Sequence, residues 1–92
     1  MNRPRRDIEA SLLAKGFQKR EGDHHYFVYW TSDGRKSPLF TKTSHNMRDI
    51  GDELLGRMAK QCGITKKEFL QLVDCPMSRA QYEAALTTYD RL

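Results

Sequence analysis

Apolar positions recur along this chain at two different periods, and the changes of period divide it into segments. In residues 5–15, Ile8, Leu12 and Leu13 fall at helical spacing, Pro4 suits a first-turn position and Gly16 supplies a left-handed stop, which predicts a first helix. From Phe17 onward aromatic and β-branched residues replace the helix formers, and turn signals at Glu21-Gly22-Asp23 and Ser32-Asp33-Gly34-Arg35 cut the stretch into short runs. The pattern predicts a meander of three antiparallel strands near 17–20, 24–31 and 36–43, with Asp33-Gly34 as the tight hairpin turn. Pro38 has no N–H to give a ladder, so the third strand is expected on an edge.

The helical period then returns. Asn46 is placed to cap a second helix, with Asp49 near the positive end of its dipole, Ile50, Leu54, Leu55 and Met58 as its apolar stripe, and Gly63 as its stop. Thr65-Lys66-Lys67-Glu68 has the spacing of a capping box and opens a short third helix through Phe69, Leu70, Leu72 and Val73, which ends before Pro76. Ser78-Arg79-Ala80-Gln81 repeats the device ahead of a last helix with Tyr82, Ala85, Leu86 and Tyr89 on one side. With no internal repeat or low-complexity tract, the order predicts one α+β domain over 1–92: an α-β-β-β-α core over 1–65 and a helical extension over 66–92.

Alternation along the second strand separates His24, Tyr26, Val28 and Trp30 from His25, Phe27, Tyr29 and Thr31. If helices cover one face only, the other presents a histidine and aromatics able to stack on RNA bases. The competing expectation is that the last helix covers this face, since strand aromatics are more often core than ligand platform.

Composition and charge add further points. The chain is long enough for one modest core. Its net charge of +4 lies wholly in residues 1–20, where Arg3, Arg5, Arg6, Lys15, Lys19 and Arg20 face only Asp7 and Glu9. That basic end is either a phosphate-facing patch, favoured by release of nucleic-acid counterions, or a solvated terminus, and charge alone does not choose. No apolar run is long enough to span a bilayer, and MNRPRRDIEA is not followed by the hydrophobic stretch of a secretory signal, so a cytoplasmic protein is expected. Cys62 and Cys75, outside any CxxC pairing, are expected as free thiols. No cofactor is expected. A zinc site from His24, His25 and His45 is not expected either, because adjacent strand histidines diverge and no cysteine or carboxylate spacing completes a tetrahedron.

Four short elements carry a resemblance. Lys15-Gly16-Phe17, Gly22-Asp23-His24, Thr43-Ser44-His45 and Ala59-Lys60-Gln61-Cys62-Gly63-Ile64 stand in the order of the HicA family of toxin-antitoxin ribonucleases, which the chain resembles over about two thirds of its length. That family has a helix ending in Gly-aromatic, a Gly-Ser/Thr-His element, a Pro-x-His element and a helix ending like LKQAGI. The resemblance implies a double-stranded-RNA-binding-like fold, endonucleolytic cleavage of mRNA, and inhibition by a HicB-type antitoxin that covers the active histidine. It places the catalytic position on His24 and the second histidine element on His45. Asp23 stands where the family has a hydroxyl residue, and Thr43 where it has proline.

Chemistry gives the histidine a reason. RNA cleavage without metal uses the neighbouring 2′-hydroxyl as nucleophile, so one proton must be removed and another returned to the leaving oxygen, work suited to imidazole. His24 is the expected catalyst and must then sit unburied at a sheet margin, with His45 as its expected complement. Lys19, Arg20 and Lys42 are the cations expected near the developing phosphorane charge, Arg5 and Arg6 extend the basic surface, and Tyr26 is a stacking residue. An acidic Asp23 beside His24 is expected to repel phosphate and to favour the protonated imidazole. His25, on the opposite face, is expected to pack or to support. Two other readings stay open: a non-catalytic RNA-binding module of the same fold, and an interaction protein using Tyr82, Leu86 and Tyr89. The terminal helices are expected to dock on the sheet, to make a homodimer surface or to take part of the antitoxin contact.

Overall fold

A computed structural model describes residues 2–74 and 76–92, so the expected free thiol Cys75 lies outside the described residues. The elements run β1 (Arg3–Pro4), α1 (Arg5–Ala14), β2 (Phe17–Glu21), β3 (His25–Trp30), β4 (Lys36–Thr43), β5 (Asp49–Ile50), α2 (Asp52–Gln61), α3 (Lys66–Val73) and α4 (Arg79–Thr88). This is an α+β fold with a three-stranded antiparallel sheet in the order β2-β3-β4 and four helices. β4 is on an edge, where the missing N–H of Pro38 costs no ladder bond.

The register sets what each face presents. Lys19, Phe27 and Thr41 lie on one rung and Arg20, Tyr26 and Lys42 on the next, so the two sets project to opposite sides. The first side carries the core: Phe17, Phe27 and Tyr29 are buried with Ile8 and Leu12 of α1, Leu55 and Met58 of α2, Phe69 and Leu72 of α3, and Tyr82 and Leu86 of α4. One core cluster thus draws on both sides of position 65. The segment expected as an extension completes the interior rather than hanging from it.

Tyr82 explains how α4 is held. Its ring stands 4.9 Å from that of Tyr29, edge-on, and 5.6 Å from Phe17, while its hydroxyl donates to the Cys62 carbonyl at 2.7 Å. The last helix therefore packs on the same side as the others, and the expectation that it covers the opposite face is corrected. The expected partner surface changes too: Tyr82 and Leu86 are fully buried in this chain's own core, which leaves Tyr89 alone of that trio exposed.

Both predicted capping boxes are formed, with Thr65 and Ser78 accepting from the Glu68 and Gln81 amides and receiving their side chains in return. Gly63, at φ +80°, closes α2 with an Ile64 N–H to Ala59 carbonyl bond and a Gly63 N–H to Lys60 carbonyl bond, the Schellman pairing. Gly16, at φ +99°, turns α1 into β2; the left-handed backbone there favours glycine, and an added Cβ would also have to displace the Arg79 side chain, 2.5 Å away.

The start of α2 differs from the sequence expectation. Asn46 does not cap it; the helix begins at Asp52 after Gly51. Asp49 and Ile50 instead pair antiparallel with Arg3 and Pro4, a two-residue bridge outside the meander. Ile50 is fully buried from this extended position, and the Arg5 amide donates to the Arg48 carbonyl at 2.8 Å. Burial of Ile50 and pairing across to the chain's start outweigh the capping propensity of Asn46. Among the described residues no helix is long and apolar enough to cross a membrane.

Candidate functional site

The adjacent histidines sit where β2 turns into β3. Gly22, Asp23 and His24 form the bend, and strand pairing resumes at His25, opposite Glu21 and Thr43. His24 stays in the bend while His25 enters the sheet, so the two rings meet different surroundings.

His24 lines a cleft of about 330 Å³ with Lys42, Thr43, Ser44, Met47, Leu54, Arg57 and Gln61. The cleft lies between the end of the meander and α2, and its lining holds two cations and no carboxylate. The imidazole is about one third exposed, at 36%, so it is not sealed in the interior. Its Nδ1 is shielded without a hydrogen-bond partner, the closest acid being Asp23 Oδ2 at 3.7 Å. Asp23 is itself engaged by the Tyr26 hydroxyl at 2.9 Å, which holds its carboxyl below, and the phenol above, their ordinary ranges. Arg20 and Lys42 flank Tyr26 on its rung, on the face that the helices leave open, and the His24 ring stands at the end of that face, 6.1 Å from the ring of Tyr26. Val28, half-buried Trp30 and Phe40, which is 46% exposed, continue that face as an apolar strip.

His25 belongs to the other side. Its Nδ1 donates to Glu21 Oε1 at 2.9 Å, and its ring lies 3.9 Å, centroid to centroid, from that of His45. His45, in the loop after β4, donates from Nε2 to the Gly22 carbonyl at 3.1 Å. Glu21 also pairs with Lys19 at 3.1 Å; the His25 hydrogen bond first, then Lys19, hold its carboxyl below the usual range. Arg5 secures the loop by donating from Nη1 to the Ser44 and His45 carbonyls at 2.9 and 3.2 Å.

The predicted site residues therefore fall into separate groups. His24, Arg20, Tyr26 and Lys42 come together. His45 and Lys19 join His25 and Glu21 instead, Arg5 is spent on backbone carbonyls, and Arg6 lines a different cleft of about 370 Å³ with Pro4, Arg5, Met47 and Arg48. Sequence reasoning missed Arg57, which reaches the His24 cleft from a polar position of α2, because nothing in a helical period says which solvent-facing residue overlooks a neighbouring strand end. It also missed Glu21, although its place across the turn from His25 follows once the hairpin register is known.

Two larger hollows lie elsewhere. One of about 500 Å³ is lined by α2 and the start of α3, including Arg57, Lys60 and Lys66, and one of about 460 Å³ lies between Ser32 and α4; neither contains a histidine. Cys62 is buried and its thiol pushed up by burial, which removes it as a nucleophile or metal ligand at neutral pH. Comparison of the chain with protein-family models, with curated proteins and with solved structures gives no match.

Proposed function

We propose that this chain is a metal-independent endoribonuclease resembling the HicA toxins, which cleaves mRNA with His24 as its proton-transfer group. The observation that carries the reading is the His24 cleft, where an accessible imidazole shares a lining with Lys42 and Arg57 and with no carboxylate. In this reading a phosphodiester in that cleft meets two exposed cations for the charge that develops at phosphorus, and an imidazole that takes the 2′-hydroxyl proton or supplies one to the leaving oxygen. Met47 and Leu54 give the same cleft an apolar wall.

The open face supports the binding half of the reading. Tyr26 and the strip of Val28, Trp30 and Phe40 offer stacking surface beside Arg20 and Lys42, the combination that holds single-stranded RNA. The order α1-β2-β3-β4-α2, with helices on one side, is what a double-stranded-RNA-binding-like fold requires, and we assign the core to that class. In this reading His45 is a positioning residue, since its ring is committed to Gly22 and His25, and it acts by holding the turn that carries His24. A HicB-like antitoxin would inhibit by covering the open face and the cleft mouth, and the cytoplasm is the compartment that supplies the substrate.

The test is cleavage of single-stranded RNA by purified protein in chelator, comparing wild type with His24→Ala and His25→Ala. Loss of the imidazole at position 24 is expected to lower the rate by about 10²-fold or more, while His25→Ala keeps most of it. Intact RNA with every protein, combined with salt-dependent binding, would replace this reading by a non-catalytic RNA-binding module.

A further inference from the structure

We infer that Glu21, His25 and His45 form a binding site for a divalent transition metal of the zinc class, separate from the His24 cleft. One ligand atom from each of the three residues lies within 4.8 Å of the others. A tetrahedral zinc with bonds of about 2.0–2.1 Å spaces its ligand atoms by about 3.3 Å, so adjustment of the exposed Glu21 and His45 side chains by about an ångström, around a half-buried His25, closes the site.

Three features point to a metal. First, the donor set of two imidazoles and one carboxylate is that of zinc and its neighbours, whereas magnesium and calcium take oxygen. Second, the Glu21 carboxylate already lies 2.9 Å from His25 Nδ1, so two of the donor atoms converge before any ion is bound. Third, the Nε2–H of His45 is already donated to the Gly22 carbonyl at 3.1 Å, which fixes the tautomer and leaves the Nδ1 lone pair for a metal. A backbone acceptor on the second nitrogen is the usual outer support of a ligating histidine. Arg5, bound to the His45 carbonyl, braces the same loop from behind.

A metal held by Glu21 and His25 Nδ1 takes the place of the hydrogen bond now joining them, and the Nδ1 proton of neutral His25 moves to Nε2. Three protein ligands leave the fourth position to water. The ion would tie both sides of the β2–β3 turn to the loop after β4, and so clamp the bend formed by Gly22, Asp23 and His24. The site does not depend on the nuclease reading.

The experiment is titration of the full chain with Zn²⁺ by calorimetry and with Co²⁺ by visible absorption. Expected are one equivalent bound and the intense d–d bands of a tetrahedral N/O site. Glu21→Gln, His25→Ala and His45→Ala should each weaken binding by about tenfold or more, and His24→Ala should leave it unchanged. Lys19→Met should tighten it, because it removes the ammonium that now lies 3.1 Å from Glu21. Glu21, at 58% side-chain exposure, can be replaced without disturbing the core, so loss of binding in Glu21→Gln with an unchanged melting temperature reports the site itself. Absence of binding at about a hundred-micromolar metal, wild-type affinity in the three ligand variants, or loss of binding on His24→Ala would overturn the proposal.

Discussion

His24 and His25 are joined by one peptide bond, yet each has its own acid and its own surroundings. The first stands 3.7 Å from Asp23 and opens on a cleft with Lys42 and Arg57; the second is bonded to Glu21 at 2.9 Å and covered by His45. The end of the sheet causes the difference: His25 is the first paired residue of β3, held opposite Glu21 and Thr43, while His24 stays in the bend that precedes it. A doubled histidine at a strand mouth is thus not redundancy: it equips two faces, one able to meet a substrate and one closed on itself.

The contrast continues down β3, and stability breaks it open most strongly. Phe27 is fully buried under the helices, whereas its neighbour Val28 lies across from exposed Phe40 on the open face. Phe27→Ala is expected to cost about 3–5 kcal/mol of unfolding free energy, against about 1 kcal/mol or less for Val28→Ala. Urea denaturation of the two variants measures this; equal losses would mean that the open face is covered after all.

Alkaline pH probes the sealed face without mutation. Burial, then the hydrogen bond to Glu83 at 2.7 Å, pushes the Tyr29 phenol up from 10.0 to about 12, and burial raises Tyr82 as well. The unfolded chain therefore loses these protons at lower pH than the folded one. Their contribution is complete below pH 10 and is lost as pH rises toward about 12. Urea midpoints measured across that range should fall, and less steeply in Tyr29→Phe; a flat profile would contradict the burial of these phenols.

What the sequence made legible follows the same division. Local signals carried the meander, the edge position of β4 and both capping boxes, because each rests on a few adjacent residues: Pro38, Thr65 with Glu68, Ser78 with Gln81; the β3–β4 turn is looser than the expected Asp33-Gly34 pair, with the Gly34 N–H closing on the Thr31 carbonyl and Ser32-Asp33 at its centre. What needed three dimensions was not readable. Asn46 has a cap's chemistry, but Ile50 gains more from burial in a bridge to Arg3, a pairing between segments far apart in sequence. The same holds at the site: the alternating pattern put His24 inside the second strand, whereas it lies in the bend before β3, and only packing brings Arg57 beside it and His45 over His25. His45 illustrates the limit, since its position in a motif suggested a partner for His24 and its contacts tie it to Gly22 and His25.

The charge of the cleft can be tested one cation at a time. Lys42→Ala and Arg57→Ala should each weaken RNA binding by about tenfold at low salt, and each should reduce the slope of log affinity against log salt by about 1. Arg5→Ala should change the slope less, because that guanidinium is bonded to the Ser44 and His45 carbonyls. Filter binding across a salt series separates these outcomes, and equal slopes for all three variants would show that RNA does not use the cleft.

Asp23 gives the finest adjustment of the comparison, since it is the acid on the open side. Its carboxylate is 80% exposed and already satisfied by Tyr26, so it faces an incoming phosphate across solvent rather than from a buried site. Asp23→Asn removes that repulsion and keeps a partner for the Tyr26 hydroxyl. RNA binding should tighten by about twofold to threefold at low salt, and the gain should fade as the Debye length falls below about 10 Å above 0.1 M salt. On the closed side the sign reverses: Glu21→Gln should leave RNA affinity unchanged, because its charge is already spent on Lys19 and His25. If both substitutions tightened binding equally, RNA would be responding to overall charge, and the two faces of the histidine pair would not be distinct.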